Sequence, residues 1–213
     1  MSEHMALENL TVLDLTRVLA GPFCTMMLAD MGANVIKIEV PKGGDDTRSY
    51  PPFRAKNLNG ERESVYFANI NRNKKGITLN LKAPEGKEIF KELVKKADIV
   101  VENYRPGVMD KLGLGYDVLK EINPRIIYAA VSGFGCYGPY HLRPGYDILA
   151  QAMGGMMSIT GSKGGEPTRA GSALGDILGG LHVTIGILAA VNARTITGKG
   201  QRVDVSLMDS MIA

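Results

Sequence analysis

Short apolar runs alternate with helical stretches along most of this chain, and few architectures accept that order. TVLDLT (residues 11–16) and NVIKIEV (34–40) read as buried strands. Between them Gly21-Pro22 opens a helix and Gly32 follows its end. GITLNL (76–81), DIVVENY (98–104), RIIYAAVSGF (125–134) and QRVDVSL (201–207) read as further strands. PEGKEIFKELVKKA (84–97) is an amphipathic helix with Ile89, Phe90, Leu93 and Val94 in one stripe. Shorter helical pieces fall at 108–112, 116–122 and 146–153, while 41–64 reads as a long surface loop. VYFANI (65–70) fits either a strand or a helix. This order predicts an α/β fold: a parallel sheet flanked by helices and joined by right-handed crossovers. Ligands of such sheets bind beyond the carboxyl ends of the strands. Here those ends carry Arg17 to Ala20, Glu39, Asn103 to Arg105 and Ser132 to Gly135.

One stretch stands apart. RAGSALGDILGGLHVTIGILAAV (169–191) delivers a single acid, Asp176, from a Gly- and Ser-rich loop into an apolar helix. Asp is a favoured N-cap, because its carboxylate accepts bonds from the free amides of the first turn. Read alone, capping is the commoner role. Gly175, Gly179 and Gly180 nevertheless strip side chains from around the acid, leaving room for a ligand or another backbone. The helix is apolar nearly all round, which predicts a buried helix rather than a membrane span. A carboxylate at its head is therefore either a cap or a group held for chemistry.

Composition excludes several classes. The net charge is only +3, the basic residues are scattered and aromatics are 6% of the chain, so nucleic acid is not the expected partner. Cys24 and Cys136 lie far apart, and His4, His141 and His182 show no ligand spacing. That predicts no structural disulfide and no metal site in a reducing, cytoplasmic setting. The polar start MSEHMALENL has no signal-peptide core, and residues 1–9 read as a flexible N-terminus. Glu39 sits where a ribose-binding acid would lie, but the first turn, TRVLAGP, lacks the GxGxxG of a dinucleotide site. Neither a P-loop nor a GxSxG nucleophile elbow is present. NRNKKG (71–76) gathers Arg72, Lys74 and Lys75, either as a solvated cluster or as a phosphate cradle.

Several longer segments together resemble the class III coenzyme A transferases. They are LDLTRVLAGPFCTMMLADMGANVIKIE, NRNKKGITLNLKAPEGK, ADIVVENYRPGVMDKLGLGY, NPRIIYAAVSGFG, PGYDILAQAMGG, LGDILGG and TGKGQRVDVSLMD. The resemblance implies a Rossmann-like large domain over residues 10–213, with a second, smaller domain of the family falling beyond the chain. It implies that Asp176 is the covalent nucleophile. It implies coenzyme A contacts at Arg17, Val18, Leu19, Ala20, Leu79, Lys82, Asn103, Tyr104, Arg105, Lys111, Arg143 and Tyr146. Val40 stands where some members carry a basic residue. The implied substrates are an acyl-coenzyme A and a small carboxylic acid, with no metal, and the implied assembly is an interlocked homodimer without membrane or nucleic-acid partners. The racemase branch resembles the chain less, because it places His where this chain has Tyr146, a weak base. A third reading is a coenzyme A-binding unit without turnover.

Overall fold

The computed structural model describes residues 4–54, 60 and 62–213. Strand β1 (Thr11–Asp14) is followed by α1 (Ala20–Asp30), with Pro22 in its first turn and Gly32 beyond its end at φ 101°. β2 (Asn34–Glu39) leads into the stretch expected to be loop. There a 3-10 turn (Asp46–Ser49) precedes a hairpin of β3 (Phe53–Arg54) and β4 (Glu63–Ser64). Residues 55–59 and 61 of that predicted loop lie outside the described residues. The ambiguous VYFANI is a helix, α2 (Val65–Ile70), because the Ser64 hydroxyl caps it by accepting the Phe67 N–H.

The chain continues through β5 (Lys75–Thr78), α3 (Pro84–Val94), β6 (Ile99–Glu102), α4 (Val108–Leu112) and α5 (Tyr116–Ile122). β7 (Ile127–Ser132), α6 (Asp147–Met153), α7 (Leu174–Thr197), β8 (Arg202–Ser206) and α8 (Leu207–Ile212) complete it. The sheet runs β5-β2-β1-β6-β7-β8, and every pair in it is parallel. Strand order reverses between β1 and β6, the switch point near which ligands of such sheets bind.

Period-2 alternation distributes the strands between two cores. Val12, Ile99, Val101, Ile127, Ala129 and Val131 face Cys24 and Leu28 of α1 and Val183 and Ile187 of α7. Leu13, Val100, Tyr128 and Ala130 face Phe90 and Val94 of α3 and Leu119 of α5. Part of the segment read as a flexible start is tied down: Leu7 joins the first core, and its amide bonds the Met31 carbonyl at 3.0 Å.

α7 departs from the expectation of a fully buried helix. One side, with Gly179, Gly180, Val183, Thr184, Ile187 and Ala190, packs inward, whereas Leu181, Ile185 and Ile196 are exposed. The helix is long and apolar enough to cross a membrane by length and composition. Its glycine side instead lets α1 approach closely. A Cβ on Gly180 would lie 2.7 Å from the Ala20 carbonyl oxygen. Gly180→Ala should therefore push α1 from α7 and destabilise the domain by about 1–3 kcal/mol, read as a lower urea midpoint.

Candidate active site

The switch point is closed by one side chain. Asn103, just past β6, accepts the Arg17 N–H at Oδ1 (2.8 Å) and donates from Nδ2 to the Arg17 carbonyl (2.7 Å). Both ends of its amide are thus occupied by the turn after β1. On the next residues Tyr104 donates its N–H to Glu102 Oε2 at 2.7 Å, and the Arg17 guanidinium stands 5.9 Å from the Tyr104 ring centre. Burial pushes the Glu102 carboxyl up to about 7 against hydrogen bonds from Tyr104 and Tyr128.

Beneath this turn lie paired charges. The Lys74 ammonium, with 2% of its side chain exposed, contacts Asp14 Oδ2 (3.0 Å), the Pro22 carbonyl (3.0 Å) and Asn71 Oδ1 (2.9 Å). Asp14 also accepts the hydroxyls of Thr16 (2.5 Å) and Thr25 (2.7 Å). Burial pushes the Asp14 carboxyl up, but Lys74, Lys37 and the two threonines more than reverse this and hold it below the usual range. Lys37 donates to the Thr16 carbonyl at 2.8 Å and stands 2.9 Å from Asp45 Oδ2, an ion contact outside hydrogen-bond angles. The NRNKK cluster is therefore neither solvated as a whole nor a phosphate cradle. Lys74 is an internal staple, Arg72 pairs with Asp30, and Lys75 donates to Asn34 Oδ1 at 2.7 Å. Glu39 is no ribose ligand either: Arg48 grips its two oxygens, at 2.7 Å each.

Above these charges a cleft of about 990 Å³ runs along the carboxyl edge of the sheet. Lys42 and Lys82 line it beyond β2 and β5, and Ser132 and Gly133 line it beyond β7. Four strand steps at about 4.8 Å make that span about 20 Å. Lys42, Lys82 and Arg105 have no ion pair among the described residues, so the cleft favours an elongated anion.

Asp176 lines the cleft from the first turn of α7. The capping role belongs to a different acid. Asp147, at the start of α6, accepts the Gly175 N–H at Oδ1 (2.8 Å) and the Gln151 amide at Oδ2 (2.8 Å). The connection from β7 to α6 folds back on itself just before Asp147, backbone to backbone: a Cβ on Gly133 would stand 2.3 Å from Gly145 Cα. Among the described residues, no hydrogen bond reaches the Asp176 carboxylate to hold its charge. Burial, and secondarily the Asp147 charge, push its carboxyl up to about 6 despite the favourable end of the helix dipole. It is thus more basic than an ordinary carboxylate yet mostly ionised at neutral pH.

Arg17, Val18, Leu19, Ala20, Leu79, Lys82, Asn103, Tyr104, Arg105, Arg143, Tyr146 and Asp176 all line this one cleft. Lys111 does not: α4 turns Val108 and Leu112 to the cleft and leaves Lys111 exposed beside them. Val40 lines the rim uncharged, 52% exposed, with Lys42 two residues on. Sequence reasoning missed Asp147, which is distant from Asp176 in the chain although it lies inside the PGYD segment. It also missed Tyr66, whose phenol is pushed up to about 12 by burial and then by the Asp176 charge. Among the described residues, no group of three or more His, Cys, Asp or Glu could hold a metal ion.

A doubly wound parallel sheet with an elongated cationic cleft, ending on a perturbed carboxylate, defines an α/β ligand-binding domain. The chain belongs to CoA-transferase family III, whose model matches residues 7–213. It is 50% identical, over 97% of its length, to an acetyl-CoA:oxalate CoA-transferase of Acetobacter aceti, covering 52% of that protein. It is 49% identical, over 98% of its length, to a succinyl-CoA:mesaconate CoA-transferase of Haloarcula marismortui, covering 53% of it. Among solved structures, a CAIB/BAIF family protein from Brucella suis superposes with a TM-score of 0.94 at 45% identity, over 99% of this chain and 55% of that one. The chain spans about half the length of these relatives.

A carboxyl raised on folding costs stability when ionised. The cost is absent below the unfolded value near 3.8, grows as pH rises to about 6, and is constant above. Asp176→Asn should therefore melt a few degrees higher than the natural chain at pH 7.5, roughly the effect of 1 kcal/mol, with the difference vanishing near pH 3.5. Paired thermal melts at the two pH values test this.

Proposed function

We propose that this chain carries the coenzyme A-binding and acid-bearing part of a coenzyme A transferase, which moves coenzyme A from an acyl-coenzyme A to a carboxylic acid. One observation carries the reading: Asp176 stands in the cleft with a raised carboxyl and no hydrogen bond among the described residues, while Asp147 caps the first turn of α7 in its stead.

In the proposed sequence the Asp176 carboxylate attacks the thioester carbonyl. The C–S bond breaks, giving an acyl-aspartyl anhydride and the coenzyme A thiolate. The thiolate attacks the Asp176 carbonyl of that anhydride, releasing the donor acid and leaving an aspartyl-coenzyme A thioester. The acceptor carboxylate attacks that thioester to form a second anhydride, and the thiolate returns to the acceptor's acyl carbon, freeing Asp176. Covalent catalysis divides one difficult exchange into easier ones. Burial raises the basicity of the nucleophile, and the anhydrides require water to be kept from the cleft during turnover. Lys42, Lys82, Arg105 and Arg143 supply positive charge for the phosphates of coenzyme A, at the opposite end from the reacting acid in the case of Lys42 and Lys82. The oxalate and mesaconate enzymes are named for dicarboxylic acids, which supports a small dicarboxylate as one substrate here. The apolar side of α7 left exposed at Leu181 and Ile185 supports burial against further protein in an interlocked homodimer. The two free cysteines support a cytoplasmic setting.

Incubation with an acyl-coenzyme A and hydroxylamine should convert Asp176 to a hydroxamate, found by peptide mass spectrometry. An intact protein that binds the thioester and stays unlabelled would rule out this nucleophile. Asp176→Ala should abolish transfer and keep coenzyme A binding. Lys82→Ala and Arg143→Ala should each weaken coenzyme A about 3- to 10-fold at low salt and less at high salt, because exposed phosphate contacts are screened. Titration calorimetry at two ionic strengths checks this.

A further inference from the structure

The cleft wall between β1 and α1 holds an unusual backbone. Val18 has φ 66°, in the left-handed region where a β-branched residue is a true outlier. Such a conformation persists only where its surroundings over-determine it. Three successive residues of this turn are held by side chains from other elements. The Thr16 carbonyl accepts from Lys37, both peptide groups of Arg17 bond Asn103, and the Val18 N–H donates to Asp45 Oδ1 at 3.3 Å.

Asp45 is held as firmly as it holds. Its side chain is fully buried beside Lys37, and Oδ1 also accepts the Thr47 N–H (3.0 Å) and hydroxyl (2.8 Å). Its own N–H donates to Glu39 Oε2 at 2.8 Å, and Glu39 is gripped by Arg48. Asp45 does not itself line the cleft, whereas Arg17, Val18, Leu19 and Ala20 do.

We propose that Asp45 is a positioning residue: by accepting the Val18 N–H it holds that peptide in the left-handed conformation and so sets the Arg17–Ala20 wall against coenzyme A. The clause about coenzyme A rests on the function proposed above; the clamp on Val18 does not. A purely structural role for the Lys37–Asp45 pair would lower stability without any special link to Val18. The two are separable, because glycine adopts φ 66° without strain and makes a clamp unnecessary.

The test uses the whole chain with Asp45→Ala, which removes the acceptor oxygen that an asparagine would keep. It adds Lys37→Met/Asp45→Ala, which removes the buried pair together and leaves no lone ammonium inside. Each is made with and without Val18→Gly. Hydrogen exchange at the Val18 amide should quicken at least about 10-fold in the Lys37→Met/Asp45→Ala protein, relative to buried amides of β6. Unchanged exchange would overturn the clamp, whether or not coenzyme A binds. Calorimetry with coenzyme A should show about 10-fold weaker binding when Asp45 is altered beside Val18, and less than about 3-fold when it is altered in the Val18→Gly background. Equal losses in both backgrounds would overturn the link to the strained peptide. Failure of the natural chain to bind coenzyme A would instead overturn the functional reading, and exchange would still decide the clamp.

Discussion

Two buried ion pairs, Lys74 with Asp14 and Lys37 with Asp45, are what the rest of this structure depends on. Burying four charged groups is tolerable only when each meets an opposite charge and further hydrogen bonds, since an isolated ion inside a protein is strongly destabilising. Here the requirement joins elements distant in sequence. Asp14 ends β1, Lys37 lies in β2, Asp45 follows β2, and Lys74 precedes β5. Satisfying the charges draws these segments together at the carboxyl edge of the sheet. That edge becomes the floor of the cleft, and Glu39 with Arg48 extends the same logic along the rim.

The acids of the site divide structural and chemical duty. A helix of this length needs its first amides satisfied, and Asp147 does so for α7 from outside the helix. Asp176, one residue after the capped amide, is therefore spared the hydrogen bonds that would lower its basicity. The same neighbour raises Asp176 further through its charge. A polar arrangement that stabilises the helix end thus keeps the adjacent carboxylate in a less comfortable state, a common cost of holding a group ready for reaction.

Much of the fold was legible in the residues. Short continuous apolar runs located the six parallel strands, and the stripe of Phe90 and Val94 located α3, because both patterns follow from local geometry and burial. The site was legible less directly. The segment around Asp176 drew attention through its glycines, and the loops at the strand ends converge on one cleft. Lys111 stands exposed beside the cleft rather than in its lining, because a motif does not fix which side of a one-turn helix a residue occupies. In NRNKK, Arg72 and Lys75 are exposed as a solvated cluster requires, while the burial of Lys74 was not legible because its partner Asp14 lies sixty residues away.

The sequence by itself determined the layered α/β architecture, the strand ends that carry polar residues, and the acid at the head of the long helix. These depend on periodicity and on local backbone preferences, which act over a few residues. Only the tertiary structure decided which acid caps and which stays free, which lysines are internal staples, and that Val18 must take a left-handed conformation. Each of those outcomes is set by a partner brought in from elsewhere in the chain, such as Asp147 against Gly175 or Asp45 beneath Val18. Hydrogen bonds and charge pairs act over a few ångströms in space, whatever the separation along the chain.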